Sequence, residues 1–95
     1  RVLLARQLQE ARFRGTGLRF NADMGAAEVE RYCTLGRDEK RYMEQMFGVM
    51  HLSARGYHRI LKVARTAADL EGSSRIREEH LAEAICYRQV DAKYE

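Results

Sequence analysis

Apolar residues recur every three or four positions along most of this chain, which is the spacing of one face of an α-helix. The clearest example lies between Ser53 and Gly72, where the apolar positions are Tyr57, Ile60, Leu61, Ala64 and Ala68. Ser53 is a favourable N-cap, and Gly72 suits the left-handed conformation that often ends a helix. The pattern therefore predicts a long helix here that forms the centre of the core.

Four further helices are predicted around it. They are expected to run from Arg1 to about Arg14, from roughly Ala26 to Thr34, onward from an N-cap near Asp38, and from about Glu78 to Val90. The side chains expected to face the core are Leu4, Leu8 and Ala11 in the first, Tyr42, Met43, Met46, Phe47 and Met50 in the third, and Leu81, Ile85 and Cys86 in the fifth, with Ile76 as a hydrophobic staple. No segment alternates with the period of a strand. We predict an all-α fold, a small bundle of about five helices forming a single domain over residues 1–95.

Length and charge narrow the class of protein. Ninety-five residues suffice for one domain, and 17 basic against 14 acidic residues leave a net charge of only +3, which does not by itself establish nucleic-acid binding. No apolar run approaches the roughly 20 residues that span a bilayer. Two cysteines without a CxxC pair indicate a reducing, cytoplasmic setting. Because the chain begins at Arg1, without an initiator methionine, we expect it to be part of a longer protein.

The usual motifs of catalysis and metal binding are missing from the sequence. The histidines, His51, His58 and His80, do not have the spacing of HExxH or zinc-finger ligands. There is no GxxxxGK[ST] loop to hold the phosphates of a nucleotide, and a small helical bundle seldom supplies the oxyanion pocket of a nucleophilic enzyme. We therefore expect the chain alone to be catalytically inert, with no metal and no tightly bound cofactor.

The polar face of the predicted central helix carries most of the candidate chemistry. Six residues share an arc of roughly 120° at about 100° per residue: Arg55, His58, Arg59, Lys62, Arg65 and Asp69. Guanidinium groups match the geometry of phosphate oxygens, and Arg55 falls in the first turn, where unpaired backbone N–H groups also favour an anion. An oxyanion site at Arg55 and a solvated face that makes only local contacts are both compatible with this pattern.

Two other functional classes stay open at this point. The segment MFGVMHLSARGYHRIL resembles a helix-turn-helix whose Ser-capped second helix would enter the major groove of DNA. Against this interpretation, the apolar periodicity continues as far as Leu70, which makes the helix longer than most recognition helices. A protein-interaction domain would instead expose an apolar patch, such as the stripe from Tyr42 to Met50.

The string LSARGYHRILKVARTAADLEG, with IREEHLAEAICYR after it and RVLLARQLQEARF before it, resembles the C-terminal domain of the magnesium chelatase-related AAA+ ATPases, the ComM/YifB family. The resemblance covers essentially the whole chain, although residues 23–50 match by pattern more than by identity. It implies a helical lid over a nucleotide that a preceding α/β domain holds. The pattern S-x-R-x-x-x-R places the sensor-2 arginine, which contacts the γ-phosphate, at Arg55. Arg59 and Arg65 would have supporting roles, and Arg6 would lie at the domain junction.

The resemblance also implies cofactors and partners. The full-length protein would bind ATP and Mg, the upstream ATPase domain would be the immediate partner of this chain, and the whole protein would assemble as a homo-hexamer. The family is associated with branch migration of DNA, so DNA is a further expected partner. None of these expectations involves a membrane.

Overall fold

The computed structural model describes the backbone of residues 1–94 and the side chains of residues 1–87. This part of the chain contains α-helices, one short 3-10 helix and no strand, so the predicted all-α class is confirmed. The helices are α1 (Val2–Arg12), α2 (Ala26–Tyr32), α3 (Arg37–Val49), α4 (Ala54–Glu71) and α5 (Glu78–Tyr94), and the 3-10 turn spans Asn21–Asp23. Among the described residues, no helix has the length and apolar character needed to cross a bilayer.

α4 begins and ends where the sequence predicts. Ser53 Oγ accepts a hydrogen bond from the backbone N–H of Gly56 at 3.1 Å, which satisfies one of the donors that a helix start leaves unpaired. At the other end, Gly72 has a φ of +78°, and the N–H of Ser73 bonds back to the carbonyl of Ala68 at 2.8 Å. This left-handed termination turns the chain toward α5.

The core lies along the apolar face of α4. Ala64 and Ala68 are completely buried, and their small side chains allow neighbouring helices to lie close to α4. α5 packs along α4, α1 packs against it, and α3 rests mainly on α5. The predicted core residues that the structure buries most completely are Met43, Ile60, Ala64, Ala68, Ile76 and Leu81.

α1 turns a different face to the core from the one predicted. Leu4 and Ala11 are exposed and Leu8 is only half-buried, whereas Ala5 and Gln9 are buried. The helical period was correct, but the buried stripe is displaced by one residue. The reason is that Gln9 finds a hydrogen-bond partner inside the fold, which a pattern of apolar positions does not reveal.

Several further details differ from the sequence-based expectation. The N-cap of α3 is Gly36, so Asp38 lies within the first turn, where a carboxylate still favours the helix through its dipole. Cys86 is exposed rather than turned inward, and Phe47 of the predicted stripe remains 43% exposed. The ends of α1, α2 and α5 also shift by a few residues from their predicted positions.

Candidate functional site

Arg55 lies in the first turn of α4 and is exposed. The first N–H groups of a helix have no acceptor within the helix, and of these only the N–H of Gly56 is taken by the capping side chain of Ser53. Three features of this helix end favour an anion: the remaining first-turn N–H donors, the partial positive charge of the helix end, and the guanidinium of Arg55. This helix end is therefore suited to an oxyanion that approaches from outside the domain.

Aromatic rings flank this end of α4. The ring of Tyr57 lies edge-to-face with Phe47 at a centroid distance of 5.9 Å and with His58 at 6.1 Å. Burial raises the pKa of Tyr57, and the nearby charge of Glu44 adds to that effect. The rings help to line a pocket of about 320 Å³ formed by Glu44, Phe47, Ala54, Tyr57 and His58. An anion at the first turn of α4 would thus have an apolar pocket beside it.

The next basic residues along α4 have different environments. Arg59 lies one turn after Arg55 and is also exposed. Lys62 is half-buried, and its Nζ donates a hydrogen bond to the carbonyl of Met24 at 3.2 Å, which fixes α4 against the segment before α2. Solvent therefore reaches two guanidinium groups on this helix, those of Arg55 and Arg59.

The second half of the predicted polar face is not solvated. Arg65 is 5% exposed and Asp69 is fully buried. Arg65 Nε donates to Asp69 Oδ1 at 3.2 Å, and its Nη2 donates to the backbone carbonyl of Ser73 at 2.8 Å. The expectation that Arg65 faces outward is wrong, because its guanidinium is occupied in holding the connection between α4 and α5.

Asp69 is the centre of a buried network that joins α1, the 3-10 turn and α4. It accepts two hydrogen bonds from Arg12, at 2.7 and 2.8 Å, and one from Asn21 Nδ2 at 2.9 Å. Burial would raise the pKa of Asp69, but the hydrogen bonds from Arg12 and Asn21 and the charges of Arg12 and Arg65 outweigh it and lower that pKa. Burial lowers the pKa of Arg65, with Asp69 acting in the opposite direction. The network stabilises the folded domain and is closed to a ligand.

Sequence reasoning missed the partners that α1 and the 3-10 turn supply to this network. Gln9 accepts from the backbone N–H of Asn21 at 2.9 Å, and Arg12 reaches across to α4. The sequence contained one signal of this network. Asp69 is the only acidic residue on the polar arc of α4, and it follows Arg65 by four residues, which is the spacing of a helical ion pair. That spacing indicates a pair but not its burial.

A second polar cluster lies where α4 meets α5. Glu71, Glu79 and His80 offer ligand atoms within 4.8 Å of one another. The backbone N–H of Arg77 donates to His80 Nδ1 at 2.9 Å, so the ring proton resides on Nε2, which faces Glu71. Both nitrogens of this buried ring therefore have protein partners, and hydrogen bonding at the start of α5 accounts for the cluster. The histidine spacing along the sequence did not reveal it.

The arrangement of α3 and α4 differs from a helix-turn-helix. α3 packs mainly on α5, and α4 is covered by α1, α2 and α5. A recognition helix must present one long side to the major groove, whereas the buried ion pairs occupy the polar face of α4 beyond Lys62. Of the six residues on that face, only Arg55 and Arg59 are exposed, which argues against this alternative.

The described residues form a small all-α domain whose central helix begins with an exposed arginine. Residues 1–88 match the family model described as magnesium chelatase, subunit ChlI C-terminal. The chain belongs to this family.

Individual relatives show which members of this family the chain resembles. The chain is 42% identical over 88 residues to competence protein ComM of Haemophilus influenzae, a match that covers 93% of this chain and 16% of that protein. It is 38% identical over 91 residues to YifB of Salmonella typhimurium and 36% identical over 91 residues to YifB of Escherichia coli, each covering 96% of this chain and 17% of the relative. The resemblance to the ComM/YifB family is confirmed, and the chain spans about a sixth of the length of these curated relatives.

Proposed function

We propose that this chain is the C-terminal helical lid of a magnesium chelatase-related AAA+ ATPase and that Arg55 is its sensor-2 arginine. The observation that carries the proposal is the exposure of Arg55 in the first turn of the central helix, where helix end and guanidinium favour the same anion. Membership of the family supports the lid assignment. A preceding α/β domain of a longer protein would hold ATP and Mg.

The role of Arg55 follows from the charge of the reaction. During phosphoryl transfer, negative charge spreads over the oxygens of the γ-phosphate. A positioned guanidinium that meets those oxygens stabilises the transition state electrostatically, and arginine stays protonated at any working pH. Arg59, one turn further along the same helix and also exposed, would support the same oxyanion.

The buried network gives the lid a means of transmitting nucleotide state. Hydrolysis would remove the oxyanion partner of Arg55 and allow the lid to rotate. α4 carries Arg55 at one end, and near the other end Asp69 ties it to Arg12 of α1 and to Asn21 of the 3-10 turn. A displacement of α4 would therefore move the rest of the bundle with it as one unit.

The decisive variant is Arg55→Ala in the full-length protein. We expect ATP turnover to fall at least tenfold, which corresponds to about 1.4 kcal/mol of transition-state stabilisation. The helicity of the isolated domain should not change, because Arg55 is exposed. Arg37→Ala is the matched control, since Arg37 is also an exposed arginine in the first turn of a helix. Unchanged hydrolysis in Arg55→Ala, or an equal loss in Arg37→Ala, would remove the sensor assignment.

The isolated chain provides a second test. Because nothing in its sequence corresponds to a phosphate-binding loop, we expect it to bind ATP no tighter than about 1 mM, or about −4 kcal/mol. Isothermal titration calorimetry measures this directly. Micromolar affinity would mean that the domain holds nucleotide by itself and is not merely a lid.

For the whole protein we propose a cytoplasmic homo-hexamer that acts on DNA, as a ComM-like helicase of branched DNA. The support is membership of a family that includes a competence protein and, for the compartment, a sequence with two cysteines and no CxxC pair. Sedimentation of the full-length protein with ATP and Mg tests the assembly, and ATP turnover with and without DNA tests the substrate. A monomer whose turnover ignores DNA would contradict both parts.

A further inference from the structure

A groove runs between the outer side of α1 and the loop that leads to the 3-10 turn. It is open to solvent and has a volume of about 530 Å³. Its lining combines positive charge with aromatic surface: Arg6, Glu10, Phe13, Arg14, Arg19 and Phe20. The family resemblance implies a domain junction at Arg6, and nothing in the sequence pattern predicts that the loop brings Arg14, Arg19 and Phe20 beside it. We call this feature the α1 groove.

The charge of the α1 groove is unbalanced. Arg6, Arg14 and Arg19 are all exposed, and Glu10 is the one acidic residue that lines the groove with them. The net charge of the groove lining is thus 3 − 1 = +2, compared with +3 for the entire chain. Arginine side chains gathered at one groove favour an anion with several separated oxygens, such as successive phosphates.

The aromatic part of the α1 groove is held in place without being buried. Phe20 remains 47% exposed, and the guanidinium carbon of Arg19 lies 5.6 Å from the centroid of its ring. The backbone N–H groups of Arg19 and Phe20 both donate to Asp23 Oδ2, at 3.3 and 3.1 Å. The loop is therefore fixed, and the ring presents a flat apolar surface that the core does not use.

We propose that the α1 groove binds single-stranded nucleic acid, with phosphates at Arg6, Arg14 and Arg19 and a base stacked on Phe20. A positively charged groove beside an exposed aromatic ring is the combination that single strands require, because their unpaired bases are free to stack on side chains. A duplex keeps its bases stacked on each other and gains nothing from Phe20. This inference rests on the proposed function only in taking DNA as the substrate of the whole protein.

The groove and Arg55 are separable. α1 meets α4 near Asp69, which is fourteen residues, or about 20 Å of helix, from Arg55. The chain carrying Arg55→Ala should therefore bind an oligonucleotide as the wild type does. ATP turnover of the full-length protein tests the sensor role of Arg55, and oligonucleotide affinity tests the α1 groove, so either proposal can be refuted without the other.

Charge reversal in the isolated chain tests the location. A fluorescently labelled oligo-dT of about 15 nucleotides is titrated at low salt and followed by anisotropy. The triple variant R6E/R14E/R19E should lose at least tenfold in affinity. The control R37E/R41E/R75E reverses three exposed arginines elsewhere and gives the same net charge, 3 − 6 = −3. We expect it to lose less than threefold, and an equal loss in both variants would overturn the proposal.

Tryptophan substitution tests the stacking. The chain contains no tryptophan, so Phe20→Trp introduces a single reporter. Its fluorescence should be quenched when the oligonucleotide is added, whereas Phe47→Trp, at an equally exposed phenylalanine outside the groove, should show little change. Phe20→Leu keeps an apolar side chain without a stacking face and should weaken binding at least threefold. Equal quenching at both positions, or full affinity in Phe20→Leu, would overturn the stacking role.

Salt and strandedness complete the test. Three phosphate contacts on a single strand predict a slope of about −2 for the logarithm of affinity against the logarithm of salt concentration. A duplex of the same length should bind at least fivefold more weakly than the single strand. A duplex that binds as well, or a slope near zero, would contradict the proposed ligand.

Discussion

Replacement of Asp69 by asparagine tests whether the buried ion pairs hold this domain together. The change keeps the shape of the side chain but removes its charge and converts one carboxylate oxygen into an NH2 group. Asp69 Oδ1 accepts one hydrogen bond from Arg12 and one from Arg65. Asp69 Oδ2 accepts one from Arg12 and one from Asn21. Because an amide nitrogen accepts none of these, at least two donors lose their acceptor.

The expected cost follows from the burial of the network. The side chains of Arg65 and Arg12 are only 6% and 14% exposed, and both would lose the negative charge that they face. Removing one partner of a buried ion pair costs about 3–5 kcal/mol. Since Arg12 retains some contact with water, we expect the lower end, about 3 kcal/mol, from a total of about 5–14 kcal/mol for a domain of this length. The melting temperature should fall by at least about 12 °C.

Urea unfolding followed by circular dichroism measures this loss, and its pH dependence identifies the cause. The pKa of Asp69 is lowered in the folded state by its hydrogen bonds and the two arginines, which outweigh burial. A carboxyl of this kind contributes its full stabilisation above its unfolded-state pKa and loses it as the pH falls through the lower folded-state pKa. The stability difference between wild type and Asp69→Asn should therefore be full at neutral pH and should narrow below about pH 4.

A matched change at an exposed carboxylate provides the control. Asp38 lies in the first turn of α3, where its interaction with the helix dipole is worth less than about 1 kcal/mol. Asp38→Asn should therefore unfold close to the wild type in urea. The reasoning is refuted if Asp69→Asn costs no more than Asp38→Asn, or if its deficit is the same at pH 3 as at pH 7.

Three further predictions concern local features. Gly72→Ala should destabilise the domain by about 1 kcal/mol in thermal unfolding, because a φ of +78° strains any side chain. Gly48→Ala should instead stabilise α3 by roughly 0.5–1 kcal/mol in the same assay, since its added Cβ meets nothing within 4 Å. Ser53→Ala should cost about 1 kcal/mol in urea through loss of the cap, and an unchanged midpoint would contradict that role. Cys86 is exposed while burial raises the pKa of Cys33 to about 11, so a thiol reagent followed by mass spectrometry should label Cys86 first.

The central helix was predictable because its determinants are local. Ser53 caps it, Gly72 ends it, and the apolar residues between them return to the same face at each turn. Each of these features operates within a few residues along the chain, so the sequence contains the whole cause. The position of Arg55 in the first turn follows from the same local geometry, since residue, cap and helix start lie next to one another.

The loop that carries Arg14, Arg19 and Phe20 shows a limit of prediction from sequence. Its glycines, Gly15 and Gly17, adopt φ angles of +80° and +85°, and the sequence correctly places the end of α1 before them. Glycines mark where the path of the chain changes but not its direction. The α1 groove exists because this path returns along α1 and places the loop arginines beside Arg6.

By itself, then, the sequence determined which segments are helical, where α4 starts and stops, and which residues share each of its sides. It did not determine which sides are covered. Arg55 and Arg65 belong to one polar arc, yet only Arg65 lies where α1, the 3-10 turn and the loop after α4 pack over the helix. Helical period is set by neighbours a few residues apart, whereas burial depends on segments as far apart as Arg12 and Asp69. Only the tertiary structure could therefore separate the arginine that stays open to an external anion from the one that is enclosed in the fold.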